Sequence, residues 1–188
     1  MFRIVTGISG SGKTTYSKRL NAHYISFDKE VFTYGAKKLH YDRLIAAVKA
    51  AAKKDVVMDG FIFHYDPDHH CYLPEIVPHP VNIKRLLNAI KPHNLEITFI
   101  YSTLDHLFEC QRSTEIRRRT RNPHGLSREE EYEENRQVLT GVNHAVKCLR
   151  SSGTINEIEY IYRLGSNYQR FPDDTHFLDL MVKKDEHE

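Results

Sequence analysis

Residues 7 to 14 read Gly7-Ile8-Ser9-Gly10-Ser11-Gly12-Lys13-Thr14 and satisfy the pattern G-x-x-x-x-G-K-[ST]. This pattern constrains the fold because its chemistry needs a strand before the loop and a helix after it. The glycines turn successive backbone N–H groups inward to form an anion-binding concavity, and the following helix presents its positive end to the same point. The flanks agree. Phe2-Arg3-Ile4-Val5-Thr6 is a β-rich run, and Lys13–Leu20 predicts a helix. In such a loop the lysine, here Lys13, reaches the β- and γ-phosphates of a nucleoside triphosphate, and the hydroxyl of Thr14 ligates Mg²⁺. The candidate nucleotide contacts are therefore Gly7, Ser9, Gly10, Ser11, Gly12, Lys13, Thr14 and Thr15.

A length of 188 residues suits one domain with a substantial core. A net charge of +2 disfavours a dedicated duplex binder, whose surface would be strongly basic. No apolar stretch approaches the length needed to span a membrane. Met1 leads directly into the first strand, so no signal peptide is expected. Cys71, Cys110 and Cys148 form no paired motif, which suggests reduced thiols and a cytoplasmic protein. No stable protein partner is implied.

Strand and helix patterns alternate along the chain, predicting an α/β fold with helices on both faces of a parallel sheet. Further strands are expected at His23–Asp28, Asp55–Asp59, Leu95–Tyr101 and Ile155–Arg163. Helices are expected at Ala36–Lys54, Asn82–Lys91 and Leu104–Arg119, and from the Ser127 capping box with Glu130 to Leu149. Ile62–Pro80 reads as a long loop. The tail at 166–188 carries a weak helical pattern at Thr175–Val182.

Open α/β sheets bind ligands at the carboxyl ends of their strands, where the loop at 7–14, Asp28 and Asp59 would meet. Asp59 follows the apolar run Val56-Val57-Met58 and is the candidate Mg²⁺ residue beside Thr14. A second reading makes it a turn cap before Gly60. Asp28 would face the γ-phosphate as a general base for a hydroxyl acceptor, or cap the segment Lys29–Tyr34. Arg112, Arg117, Arg118, Arg119, Arg121 and Arg128 stand against the single acid Glu115 within residues 112–128. Such a segment suits a lid that neutralises a transferring phosphoryl group. Here Arg117, Arg118 and Arg121 are the catalytic candidates and Arg112 a nucleotide contact. The run His64-Tyr65-Asp66-Pro67-Asp68-His69-His70-Cys71 has metal-ligand residue types in no recognised zinc spacing. It is expected instead to shape an acceptor pocket.

Taken together, the loop at 7–14, the acid Asp28, the triplet Asp59-Gly60-Phe61 and the arginine-rich segment resemble the P-loop kinases of the nucleotide-kinase group. That group includes adenylate kinase, shikimate and gluconate kinases and polynucleotide kinase. The resemblance spans roughly residues 1–150. It implies a P-loop NTPase three-layer sandwich with a five-stranded parallel sheet and a helical lid at about 112–128. It also implies ATP and Mg²⁺ as cofactors, with catalysis by Lys13, Asp28 and the lid arginines. The triplet continues into Ile62-Phe63-His64, whereas adenylate-kinase-like enzymes continue into Pro-Arg to grip a monophosphate. This departure favours a hydroxyl acceptor on a nucleoside, nucleotide or nucleic-acid 5′ end over a monophosphate kinase. A non-catalytic nucleotide-binding module is the alternative of another class; no guanine-reading Asn-Lys-x-Asp occurs.

Overall fold

The computed structural model describes residues 1–31, 41–60, 63–66, 71–74, 80–113 and 126–182. Eight strands lie among them: β1 Phe2–Thr6, β2 His23–Ser26, β3 Val56–Asp59, β4 Phe63–Asp66, β5 Cys71–Pro74, β6 Leu95–Tyr101, β7 Glu157–Leu164 and β8 Asn167–Phe171. The helices are α1 Lys13–Ser17, α2 Phe27–Val31, α3 Tyr41–Ala50, α4 Pro80–Ile90, α5 Leu104–Arg112, α6 Arg128–Ser151 and α7 Thr175–Val182.

One six-stranded sheet runs in the order β2-β3-β1-β6-β7-β8. The first five strands are parallel, as the alternating pattern predicts. The expectation of five strands is corrected by β8, which pairs antiparallel with β7 from Leu164↔Asn167 to Tyr160↔Phe171. Its cause is the two-residue Gly165-Ser166 connection. Gly165 adopts φ 61°, a left-handed conformation that suits a tight hairpin.

Helices cover the two sheet faces unequally. The larger core joins Phe2, Ile4, Met58, Ile97 and Phe99 to apolar residues of α2, α3, α4, α5, α6 and α7. On the other face Val5, Val57, Ile100 and Ile161 are covered by Tyr16 of α1 and by Leu20 and Ala22 just beyond it. Farther along that face the sheet carries charge. Glu159 accepts from Thr98 at 2.9 Å and pairs with Arg3 and Arg170 at 3.4 and 3.1 Å.

Three local expectations are corrected. The loop expected at 62–80 contains the antiparallel β4–β5 hairpin, in register from Phe63↔Pro74 to Asp66↔Cys71. Each strand carries aromatic residues, Phe63 and Tyr65 in β4 and Tyr72 in β5, a composition that favours strand over loop. Helix α1 stops at Ser17, short of Leu20, and tightens into a turn through Arg19 N–H to Tyr16 O and Leu20 N–H to Ser17 O. Strand β2 ends at Ser26, and α2 follows without a connecting loop, so Asp28 lies in the first turn of a helix. A carboxylate is favoured there by the helix dipole. The capping box at the start of α6 is present as read, with Glu130 N–H donating to Ser127 Oγ and Ser127 N–H to Glu130 Oε2.

Candidate phosphate-binding site

Register places the candidate residues at one end of the sheet. Val5 of β1 pairs with Asp59 of β3, which pairs with Ser26 of β2. The loop after β1, the aspartate ending β3 and the start of α2 after β2 therefore share one edge.

Within the loop, Gly10 and Gly12 hold φ values of 86° and 89°, left-handed conformations that glycine tolerates best. The Lys13 ammonium donates to Gly7 O at 2.6 Å and Ile8 O at 2.8 Å, arching over the start of the loop. Ser11 is fully buried, and its hydroxyl has no hydrogen-bond partner among the described residues. Thr14 and Thr15 lie exposed in the first turn of α1.

The Thr14 hydroxyl donates to Asp59 Oδ2 at 2.5 Å. The other oxygen, Oδ1, accepts from the Tyr24 hydroxyl at 3.0 Å. Asp59 is 3% exposed, so these bonds offset its removal from water. Burial raises the Tyr24 hydroxyl above its ordinary pKa and the Asp59 charge adds to this, which keeps the phenol a donor. Sequence reasoning missed Tyr24. Its signal was its place in β2, two residues before Ser26 and on the same side of the strand. Asp28 is exposed, and its Oδ1 would lie 3.2 Å from a Cβ added at Gly60. The structure thus brings the loop, Thr14, Asp59 and Asp28 together.

The arginines are placed differently. Arg112 is held by Glu131, to which both its Nη2 and Nε donate, and it lies over the Phe108 ring at 4.2 Å. Arg128 bonds Asp105 at 2.5 Å and Tyr132 at 2.7 Å. These two clasps join α5 to the start of α6. Arg117, Arg118, Arg119 and Arg121 lie outside the described residues, as do residues 67–70 of the histidine-rich run.

Three further residues, also missed, meet the loop from outside. Gln111 Nε2 donates to Ser9 O at 3.0 Å, Arg163 Nη1 to Gly10 O at 2.8 Å and the Tyr168 hydroxyl to Gly12 O at 3.2 Å. Beside Ser9 a cleft of about 90 Å³ opens between the loop, α5 and α6, lined by Gln111, Glu131, Glu134 and Asn135 among others.

No protein-family model and no curated protein matches the chain. Among solved structures it is similar to an uncharacterized protein from Eubacterium ventriosum ATCC 27560, at 13% identity and a TM-score of 0.39, covering 86% of this chain and 89% of that one. Among the described residues, no helix is long and apolar enough to cross a membrane.

Proposed function

We propose that the protein is an ATP- and Mg²⁺-dependent kinase that transfers the γ-phosphoryl group to a hydroxyl of a nucleoside, a nucleotide or a nucleic-acid 5′ end. One observation carries this reading: the Thr14 hydroxyl meets Asp59 Oδ2 at 2.5 Å at the mouth of the 7–14 loop. Two oxygen donors in contact beside a phosphate-binding sequence form a donor set suited to Mg²⁺. The residues fit that ion, which Thr14 and Asp59 would hold. Bound there, Mg²⁺ would offset charge on the triphosphate. The parallel order β2-β3-β1-β6-β7 supports reading the fold as a P-loop NTPase sandwich.

The remaining roles follow from position. Lys13, now bonded to the loop's own carbonyls, is the cation for the β- and γ-phosphates. Asp28, exposed next to Gly60, is the group to orient or deprotonate the acceptor hydroxyl.

Incubation with γ-labelled ATP and Mg²⁺ tests the proposal against nucleosides, 5′-hydroxyl oligonucleotides and nucleoside monophosphates. Label on a hydroxyl acceptor is the expected result. Label confined to monophosphates would move the enzyme to the monophosphate kinases. ATP binding with no transfer to any acceptor would make it a non-catalytic nucleotide-binding module.

A further inference from the structure

We infer that Gln111, Arg163 and Tyr168 are positioning residues for the phosphate-binding loop, fixing its carbonyls on the outside so that its N–H groups are set for phosphate before a nucleotide arrives. This rests on the nucleotide-binding reading of residues 7–14.

A glycine-rich loop is conformationally permissive, so the sequence that can form an anion cradle can also leave it. Glycines at 10 and 12 allow several loop shapes, and contacts to the loop carbonyls select one of them. The structure provides one side-chain donor for each of three carbonyls: Gln111 for Ser9, Arg163 for Gly10 and Tyr168 for Gly12, whose carbonyl also accepts from Tyr16 N–H of α1 at 3.0 Å. In a trans peptide the C=O and the next N–H point in opposite directions. Holding the Ser9 and Gly12 carbonyls outward therefore turns the N–H groups of Gly10 and Lys13 the other way. The N–H of Ser11 closes on Ile8 O at 3.2 Å and fixes the turn between them.

Each donor is itself held. Arg163 Nε donates to Gly165 O at 2.8 Å, and the Arg163 carbonyl accepts from Ser102 Oγ at 2.6 Å. The Tyr168 ring contacts the Tyr16 ring, 5.2 Å away between centroids, and the Arg19 guanidinium at 4.9 Å. Gln111 exchanges amide bonds with Asn135 at 3.2 and 3.4 Å.

Gly12 shows independently how closely this bracing fits. A Cβ there would lie 2.7 Å from the Tyr168 hydroxyl and 2.8 and 2.9 Å from Arg163 Nη1 and Cδ. The glycine required by the loop sequence is required again by the two side chains packed on its outer side.

The test is calorimetric titration of the full chain with Mg²⁺ and AMP-PNP, and separately with inorganic tripolyphosphate, at a temperature where every variant is folded. Arg163→Met and Tyr168→Phe keep bulk and remove the donor; Arg163→Lys keeps the charge. From the usual strength of such bonds, Arg163→Met should weaken both ligands by about tenfold or more and Tyr168→Phe by roughly threefold to tenfold. Arg163→Lys should recover part of the loss. Amide exchange at 9–13 should quicken in ligand-free Arg163→Met. Native affinity in these variants, even with a lowered melting temperature, would overturn the inference. So would a loss seen with AMP-PNP but not with tripolyphosphate, since that places the contacts on the nucleoside. A native chain that binds neither ligand would instead overturn the nucleotide-binding reading.

Discussion

Lys13 and Asp28 carry the sharpest consequences of the proposed chemistry, and their surroundings set what each substitution should do. Lys13 is half-buried and bonded to two loop carbonyls, so Lys13→Ala removes a tether as well as a phosphate ligand. Stability should fall by only about 1 kcal/mol while turnover disappears. A thermal melt beside a labelled-ATP assay reads both, and persisting turnover would refute the role. Asp28 is exposed, so Asp28→Asn should leave the fold and ATP affinity unchanged. A general base supplies about 10²- to 10⁴-fold in rate. Single-turnover kinetics on a hydroxyl acceptor should therefore show a loss of at least about a hundredfold. A near-native rate with only a raised KM would remove the base role. Tyr24 belongs with this group, because its hydroxyl takes up the Asp59 oxygen turned away from Thr14.

At the level of elements, legibility followed how local the controlling chemistry is. The loop at 7–14, the long apolar strand β6 and the capping box of α6 depend on neighbours within a few residues, and each is read directly from sequence. The α6 cap gives a prediction. Ser127→Ala removes an acceptor for Glu130 N–H and should cost about 1 kcal/mol in urea unfolding, without altering nucleotide affinity. An unchanged unfolding midpoint would show that the clasp of Arg128 with Asp105 suffices to start the helix. Strand β8 was harder to see, because Asn167-Tyr168-Gln169-Arg170-Phe171 has only two aromatic residues among polar ones. Its Gly165-Ser166 turn was the available sign. The outward donors to the loop were invisible for another reason. Gln111, Arg163 and Tyr168 lie 102, 153 and 156 positions from the carbonyls they meet, and only the assembled sheet and α5 bring them there.

Across the whole molecule, stability is concentrated on one side of the sheet. Phe99 is fully buried, with ring centroids of Phe177, Tyr160 and Tyr101 at 5.3, 5.9 and 6.0 Å. Phe99→Ala should cost about 3–5 kcal/mol, a large part of a domain's usual 5–15 kcal/mol. Equilibrium urea unfolding should show a lowered midpoint at an unchanged slope. A loss below about 1 kcal/mol would mean that the aromatic cluster closes over the gap. The bracing of the loop also imposes an order in time. Residues 7–14 are made first, but the tyrosine that holds Gly12 is 156 positions later. At synthesis rates of about 5–20 residues per second, roughly 8 to 30 seconds separate the two. Through that interval the nascent chain carries the whole motif without its full set of outer supports. A product broken off before residue 163 would keep every residue of the motif and lack two of the three side chains that hold it in shape. On the proposed nucleotide-binding reading, affinity therefore reports that synthesis has passed Tyr168.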